Sequence, residues 1–155
     1  MRVFKFGGAS IADAGRMTAL LPIVNEEAKP LLLVLSALGK TTNALENIVN
    51  LACKGKKEDA LAAAKTLEQQ HLEFARALLN DSHYPSAEQA LNTHFAELNK
   101  AVGTVDPGRY DYSYDQIVCM GELLSSHIFS FLLTQNNIPN LWIDIRRVVL
   151  TDDTY

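Results

Sequence analysis

Lys5-Phe6-Gly7-Gly8-Ala9-Ser10 is the stretch of this sequence best suited to chemistry. A lysine one residue before the end of an apolar run is a point charge for a phosphate. The two glycines let backbone N–H groups approach an anion closely, and a helix starting at Ser10 would add favourable partial charge. The spacing is not that of a Walker A loop, because Gly-x-x-x-x-Gly-Lys-Ser/Thr is absent. The same residues also suit a plain Gly-Gly turn beside a solvated lysine.

A second polar loop, Ser36-Ala37-Leu38-Gly39-Lys40-Thr41-Thr42-Asn43, follows the apolar run Leu31–Leu35. Small hydroxyls and a lysine at the end of a buried strand can hold a carboxylate or phosphate. Helix capping by Thr42 or Asn43 is the alternative use of the same residues. Glu122 is an acidic side chain amid the apolar positions of Gly121-Glu122-Leu123-Leu124-Ser125-Ser126. A buried carboxylate is costly unless paired, so a substrate ammonium or a lysine is its expected partner; the alternative is a solvent-facing edge. Gly121 beside it suggests close backbone approach. His71, His83, His94 and His127 show no metal-ligand spacing, and no metal ligand is assigned. Tyr110, Tyr112 and Tyr114 are read as packing residues, with a loop over the site as the other option.

These residues need elements to position them. Val3–Phe6 reads as a strand, the three- and four-residue spacing from Ile11 to Val24 as a helix, and Leu31–Leu35 as a strand buried on both faces. That is a βαβ unit, and its crossover should be right-handed. A helix capped by Asn43 runs to Gly55, and two amphipathic helices across 56–104 form an antiparallel hairpin. Ser113 caps a helix, apolar nearly all round, that ends at Asn136-Asn137. Leu141–Asp144 and Val148–Leu150 read as a third and fourth strand. In open α/β sheets, ligands bind beyond the carboxyl ends of strands, where the two loops above fall.

Composition narrows the field. The chain has 155 residues, 48% hydrophobic and 21% charged, the size and make-up of one globular domain. A formal net charge of −4 leaves no basic excess for a nucleic-acid backbone. The longest uninterrupted apolar run, Leu31–Leu35 with Ala37-Leu38, is far short of the ~20 residues of a membrane span. No signal-peptide region precedes the first strand, and Cys53 and Cys119 sit in apolar helical contexts that favour free thiols. A cytoplasmic location is expected.

Four segments in order resemble the aspartate kinases of the amino-acid kinase superfamily. They are Lys5–Ser10; Val34-Leu35-Ser36-Ala37 with Gly39 and Thr42-Asn43; Gly121–Ser125; and Trp142-Ile143-Asp144-Ile145-Arg146 leading to Thr151-Asp152-Asp153. Ala9 stands where the family more often has threonine. The resemblance implies a three-layer αβα fold with a mainly parallel sheet and a helical hairpin between the second and third strands. It implies transfer of the ATP γ-phosphoryl group to the β-carboxylate of L-aspartate, with Mg accompanying the nucleotide. Lys5 would neutralise the transferred phosphoryl group, with Phe6, Gly7 and Gly8 forming the phosphate turn. Ser36 and Thr42 would line the aspartate site, and Glu122 would hold the α-ammonium.

The family's later glycine-rich segment, nucleotide-binding half and regulatory domains are not in this sequence. The expectation is therefore an N-terminal portion, residues 1–155, of a larger kinase domain from a homo-oligomeric parent, inactive alone and prone to self-association. A relative acting on glutamate, acetylglutamate or a nucleotide, and a non-catalytic regulatory half-domain, are the competing readings.

Overall fold

The computed structural model describes residues 1–149, 151 and 152. It is built mainly of helices, packed on a two-stranded parallel sheet. Strand β1 (Arg2–Phe6) pairs with β2 (Leu31–Leu35), Arg2 opposite Leu31 and Phe6 opposite Leu35. Two short helices, α1 (Ala14–Thr18) and α2 (Leu20–Glu26), make the crossover. They part at Ala19, where Pro22 has no N–H to return to the Thr18 carbonyl. Helix α3 (Thr41–Cys53) follows β2. Then come α4 (Lys57–Leu78) and α5 (Tyr84–Gly103), and finally α6 (Tyr110–Val118) and α7 (Met120–Gln135).

One core unites these elements. Phe95, Leu91 and Leu98 of α5 meet Leu45 and Ile48 of α3, Ile117 of α6, and Leu124, Ile128, Phe129 and Leu132 of α7. The hairpin expected across 56–104 is present as α4 and α5. Asn137, at φ 57°, closes α7, with the Ile138 N–H bonded to the Leu133 carbonyl.

Several expectations are corrected. The Leu31–Leu35 run is not buried on both faces: Leu31, Leu33 and Leu35 turn to the core, while Leu32 and Val34 are 45% and 44% exposed. Val3 opposite Leu32 is also exposed, because helices cover only one face of this sheet. Leu141–Asp144 forms no strand. Its side chains alternate, with Trp142 and Asp144 inward and Leu141 and Ile143 outward, but no ladder partner lies beside it among the described residues. Val148 and Val149 are likewise outside any strand, and Leu150 lies outside the described residues.

Two expected caps sit inside helices instead. Helix α3 begins at Thr41, so Asn43 is in its first turn. Helix α6 begins at Tyr110, and buried Ser113 exchanges hydrogen bonds with the Asp106 backbone. Pro107–Gln135 is a helical run long and apolar enough, by length and composition, to cross a membrane. Its apolar side chains are nevertheless spent on the core: Ile117, Leu124, Ile128, Phe129 and Leu132 are buried.

Candidate functional site

The site is built where both strands end. Beyond β1, Gly7 is extended, and Gly8–Ile11 forms a single 3-10 turn closed by the Ser10 N–H on the Gly7 carbonyl, 2.9 Å. The Lys5 Nζ lies over this turn, 3.8 Å from where a Gly7 side chain would begin. Lys5 is exposed and forms no ion pair among the described residues, so its charge is available to an anion. The helix expected at Ser10 starts later. Asp13 caps α1, its carboxylate accepting from the Arg16 N–H at 2.8 Å. A carboxylate therefore already occupies that helix end. Arg16 braces the turn by donating to the Ala9 carbonyl, 2.8 Å.

Beyond β2, the Ser36 N–H extends the ladder to the Phe6 carbonyl, 3.0 Å. Ala37 is then the point where three elements meet. Its carbonyl would lie 3.1 Å from a Cβ on Gly8, a tight contact that a side chain there could make only if the neighbour gave way. Its N–H donates to Glu122 Oε1 at 3.3 Å. Its Cβ would stand 2.8 Å from a Cβ on Gly121, which bears out the close approach expected there. The loop turns at Gly39, φ +47°, a left-handed conformation that favours glycine, and the Thr41 N–H closes it on the Leu38 carbonyl, 2.8 Å.

Thus Gly8 and Glu122 meet at Ala37, next to Ser36, and Lys5 reaches over Gly7 at the end of the neighbouring strand. Thr42 stands one residue into α3, half-buried. Glu122 differs from the expectation of a buried carboxylate: it is exposed. It leaves the apolar helix α7 at the edge nearest the loops, so its charge stays solvated and the carboxylate is presented outward. The tyrosines do not cover the site. Tyr110 and Tyr114 bond Asn50 and Glu46 of α3 through their hydroxyls, at 3.2 and 2.8 Å, pinning α6 to α3. The Glu46 bond raises the Tyr114 pKa.

Three supporting contacts had no sequence signal of their own. The buried Ser125 hydroxyl donates to the Ser36 carbonyl at 2.7 Å, tying α7 to the second loop. Thr41, not Thr42, is buried, and its hydroxyl meets His71 Nε2 at 3.4 Å. His94 Nε2 and His127 Nδ1 lie 3.0 Å apart, with Trp142 flat on His127, ring centroids 4.0 Å apart. Burial lowers the pKa of both histidines, that of His127 to about 4 with His94 adding to the effect. Ser126 accepts the Trp142 indole N–H at 3.0 Å. Arg146 holds Asp144 through paired hydrogen bonds and reaches Glu97 of α5; its guanidinium keeps the Asp144 carboxyl below the usual range.

Both cysteines are free, and burial pushes their thiols up. Among the described residues, no three His, Cys, Asp or Glu side chains converge as a metal cage. The residues present do not fit a protein-held Mg, and no step is assigned to one.

The βαβ opening, the lysine beside a Gly-Gly turn and the carboxylate near the strand ends accompany a match to one known family. The family model described as "Amino acid kinase family" matches residues 1–154, and the chain belongs to that family. Among its relatives is the bifunctional aspartokinase/homoserine dehydrogenase 2 of Escherichia coli, strain K12. It is 30% identical over 149 residues, covering 94% of this chain and 18% of the relative. The lysine-sensitive aspartokinase 3 of the same organism is 29% identical over 158 residues, covering 99% and 33%.

Among solved structures, E. coli aspartokinase III in complex with aspartate and ADP, in the R-state, superposes with a TM-score of 0.70. It is 29% identical, with 100% of this chain and 33% of that one covered. The chain therefore spans a third or less of the length of these relatives.

Proposed function

We propose that this chain forms the aspartate side and phosphate turn of an aspartokinase, the enzyme that moves the ATP γ-phosphoryl group onto the L-aspartate β-carboxylate. The observation that carries the proposal is the meeting of Gly8 and Glu122 at Ala37, beyond the carboxyl ends of both strands, with Lys5 over Gly7 beside it. The four motifs in family order support it, as do relatives with aspartokinase in their names.

In this reading Lys5 offsets charge on the transferred phosphoryl group, and the N–H groups of Gly7 and Gly8, beyond Phe6 at the end of the ladder, donate to its oxygens. Ser36 and Thr42 line the aspartate pocket, and Glu122 pairs with the α-ammonium. Phosphoryl transfer depends on positioning and charge stabilisation, which a lysine and backbone donors supply. The attacking carboxylate is ionised near neutral pH, so no general base is needed. Mg comes with the nucleotide, whose pocket belongs to other residues of a longer enzyme. The proposal extends to a cytoplasmic, homo-oligomeric parent of which these residues are the N-terminal portion.

Calorimetric titration of L-aspartate into the chain tests this, alongside Lys5→Ala, Glu122→Ala and an ATP-dependent hydroxamate assay for acyl phosphate. Weak aspartate binding that Glu122→Ala abolishes, without turnover, is the expected result. Binding indifferent to both substitutions would overturn the assignment of the site.

A further inference from the structure

We propose that His71, on the hairpin helix α4, is a positioning residue for the Ser36–Thr42 loop. The inference rests on the reading of that loop as the aspartate side of the site. His71 is 3% exposed and faces the first turn of α3. Its Nδ1 lies 2.9 Å from the Leu67 carbonyl, which can only accept, so Nδ1 carries the ring proton. Nε2 is then an acceptor, and the Thr41 hydroxyl donates to it across 3.4 Å. The Phe95 ring of α5 meets the imidazole edge-on at 5.7 Å and holds it from the other side.

Thr41 is the residue through which the loop becomes helix. Its N–H closes the turn on Leu38, its methyl lies beside Gly121, and Thr42 follows directly. The hairpin thus reaches the end of the loop with one polar side chain, the His71 imidazole. A hollow of about 250 Å³ opens on the far side of this contact, lined by Leu38, Gly39, Phe74 and Gln70. Beside this hollow the buried His71–Thr41 contact is a polar tie between α4 and the start of α3.

A neutral ring accepts from the Thr41 hydroxyl, and a protonated ring would instead donate Nε2–H to the hydroxyl oxygen. The groups facing His71 are the Thr41 hydroxyl from α3, the Leu67 carbonyl of its own helix and the Phe95 ring from α5. Lys40 is the one charged side chain lining the hollow, and no carboxylate lines it. Burial lowers the His71 pKa and outweighs the Leu67 carbonyl, which favours the charged ring.

Nuclear magnetic resonance on the full chain tests this. The ring nitrogen shifts of His71 should show the Nδ1–H tautomer. His71→Leu should speed amide exchange across residues 36–43 by roughly five- to tenfold, leaving residues 123–133 unchanged. His71→Gln, whose side-chain carbonyl can accept from Thr41, should restore most of the protection.

Uniform loosening, no loosening, or a Gln variant no better than Leu would overturn the proposal. If His71→Leu does not fold, Thr41→Val decides: exchange across residues 36–43 must rise when the hydroxyl is removed, and unchanged exchange overturns the link. L-Aspartate is titrated into the same samples. Loosening of residues 36–43 without aspartate binding would uphold the His71 link and overturn the substrate reading of the loop.

Discussion

Gly121 of α7 lies against Ala37 of the second loop so closely that a Cβ on the glycine would stand 2.8 Å from the alanine Cβ. Leu45 Cδ1 and Thr41 Cγ2 close the same space at 3.3 and 3.4 Å. This contact sets how near the Glu122 carboxylate can come to the strand ends. Gly121→Ala should cost about 1–3 kcal/mol by overpacking. Urea unfolding measures it, and Ala37→Gly in the same chain should recover part of the loss. A neutral Gly121→Ala would show that α7 can draw back.

Ser125→Ala should also destabilise, by a different route. It leaves the Ser36 carbonyl without the 2.7 Å hydroxyl bond that satisfies it beneath α7. The loss should be roughly 1–2 kcal/mol, with an unchanged denaturant slope. Ser125→Thr, which keeps the hydroxyl but adds a methyl to a fully buried position, should not be silent either.

Two glycines in the loops should fail for opposite reasons. Gly39→Ala meets no atom within 4 Å, so its cost of about 1 kcal/mol comes from the φ of +47° alone. Gly8→Ala has no such φ but drives a Cβ to 3.1 Å from the Ala37 carbonyl. Stability should fall in both. Aspartate binding should weaken chiefly in Gly8→Ala, which moves the phosphate turn away from the second loop.

Acid should loosen the protein before its carboxylates titrate. Burial lowers the pKa of His71, His94 and His127 below the usual imidazole value near 6.5, His127 to about 4. The unfolded chain therefore binds more protons between about pH 4 and 6.5, and stability rises with pH through that window. Their contribution is complete above the unfolded value and is lost as pH falls toward 4. Circular dichroism melts from pH 7.5 to 4.5 should show this fall. His127→Phe, which keeps a flat ring under Trp142, should flatten the slope. An unchanged slope would mean that other groups dominate.

How much of this was legible before the structure differs by residue. The βαβ opening and the hairpin were plain, because periodicity reports a segment's own buried face. Gly121 was legible as a close approach because a glycine inside an apolar helix needs a reason. The third strand at Leu141–Asp144 was not, although its side chains alternate as a strand's do: a strand exists only with a ladder beside it, and the alternation is spent on seating Trp142. Leu31–Leu35 looked buried on both faces because an apolar run cannot say which neighbours cover it. Asn43 and Ser113 had the chemistry of caps, but the backbone entered each helix a turn earlier. Glu122 was chosen by residue type, and the structure places it at the solvent edge. His71, His94 and His127 looked scattered because their contacts join residues 30 or more positions apart.

Trp142 is the one tryptophan in the sequence, and it lies within 3° of parallel to His127. The protein thus carries an intrinsic fluorophore at a single address. Its emission reports whether the segment after α7 is seated on that helix, and says little of the core formed by Phe95 and Phe129. Melting followed by indole fluorescence and melting followed by backbone ellipticity would then be two different experiments. Any gap between the two curves would measure how independently that segment detaches.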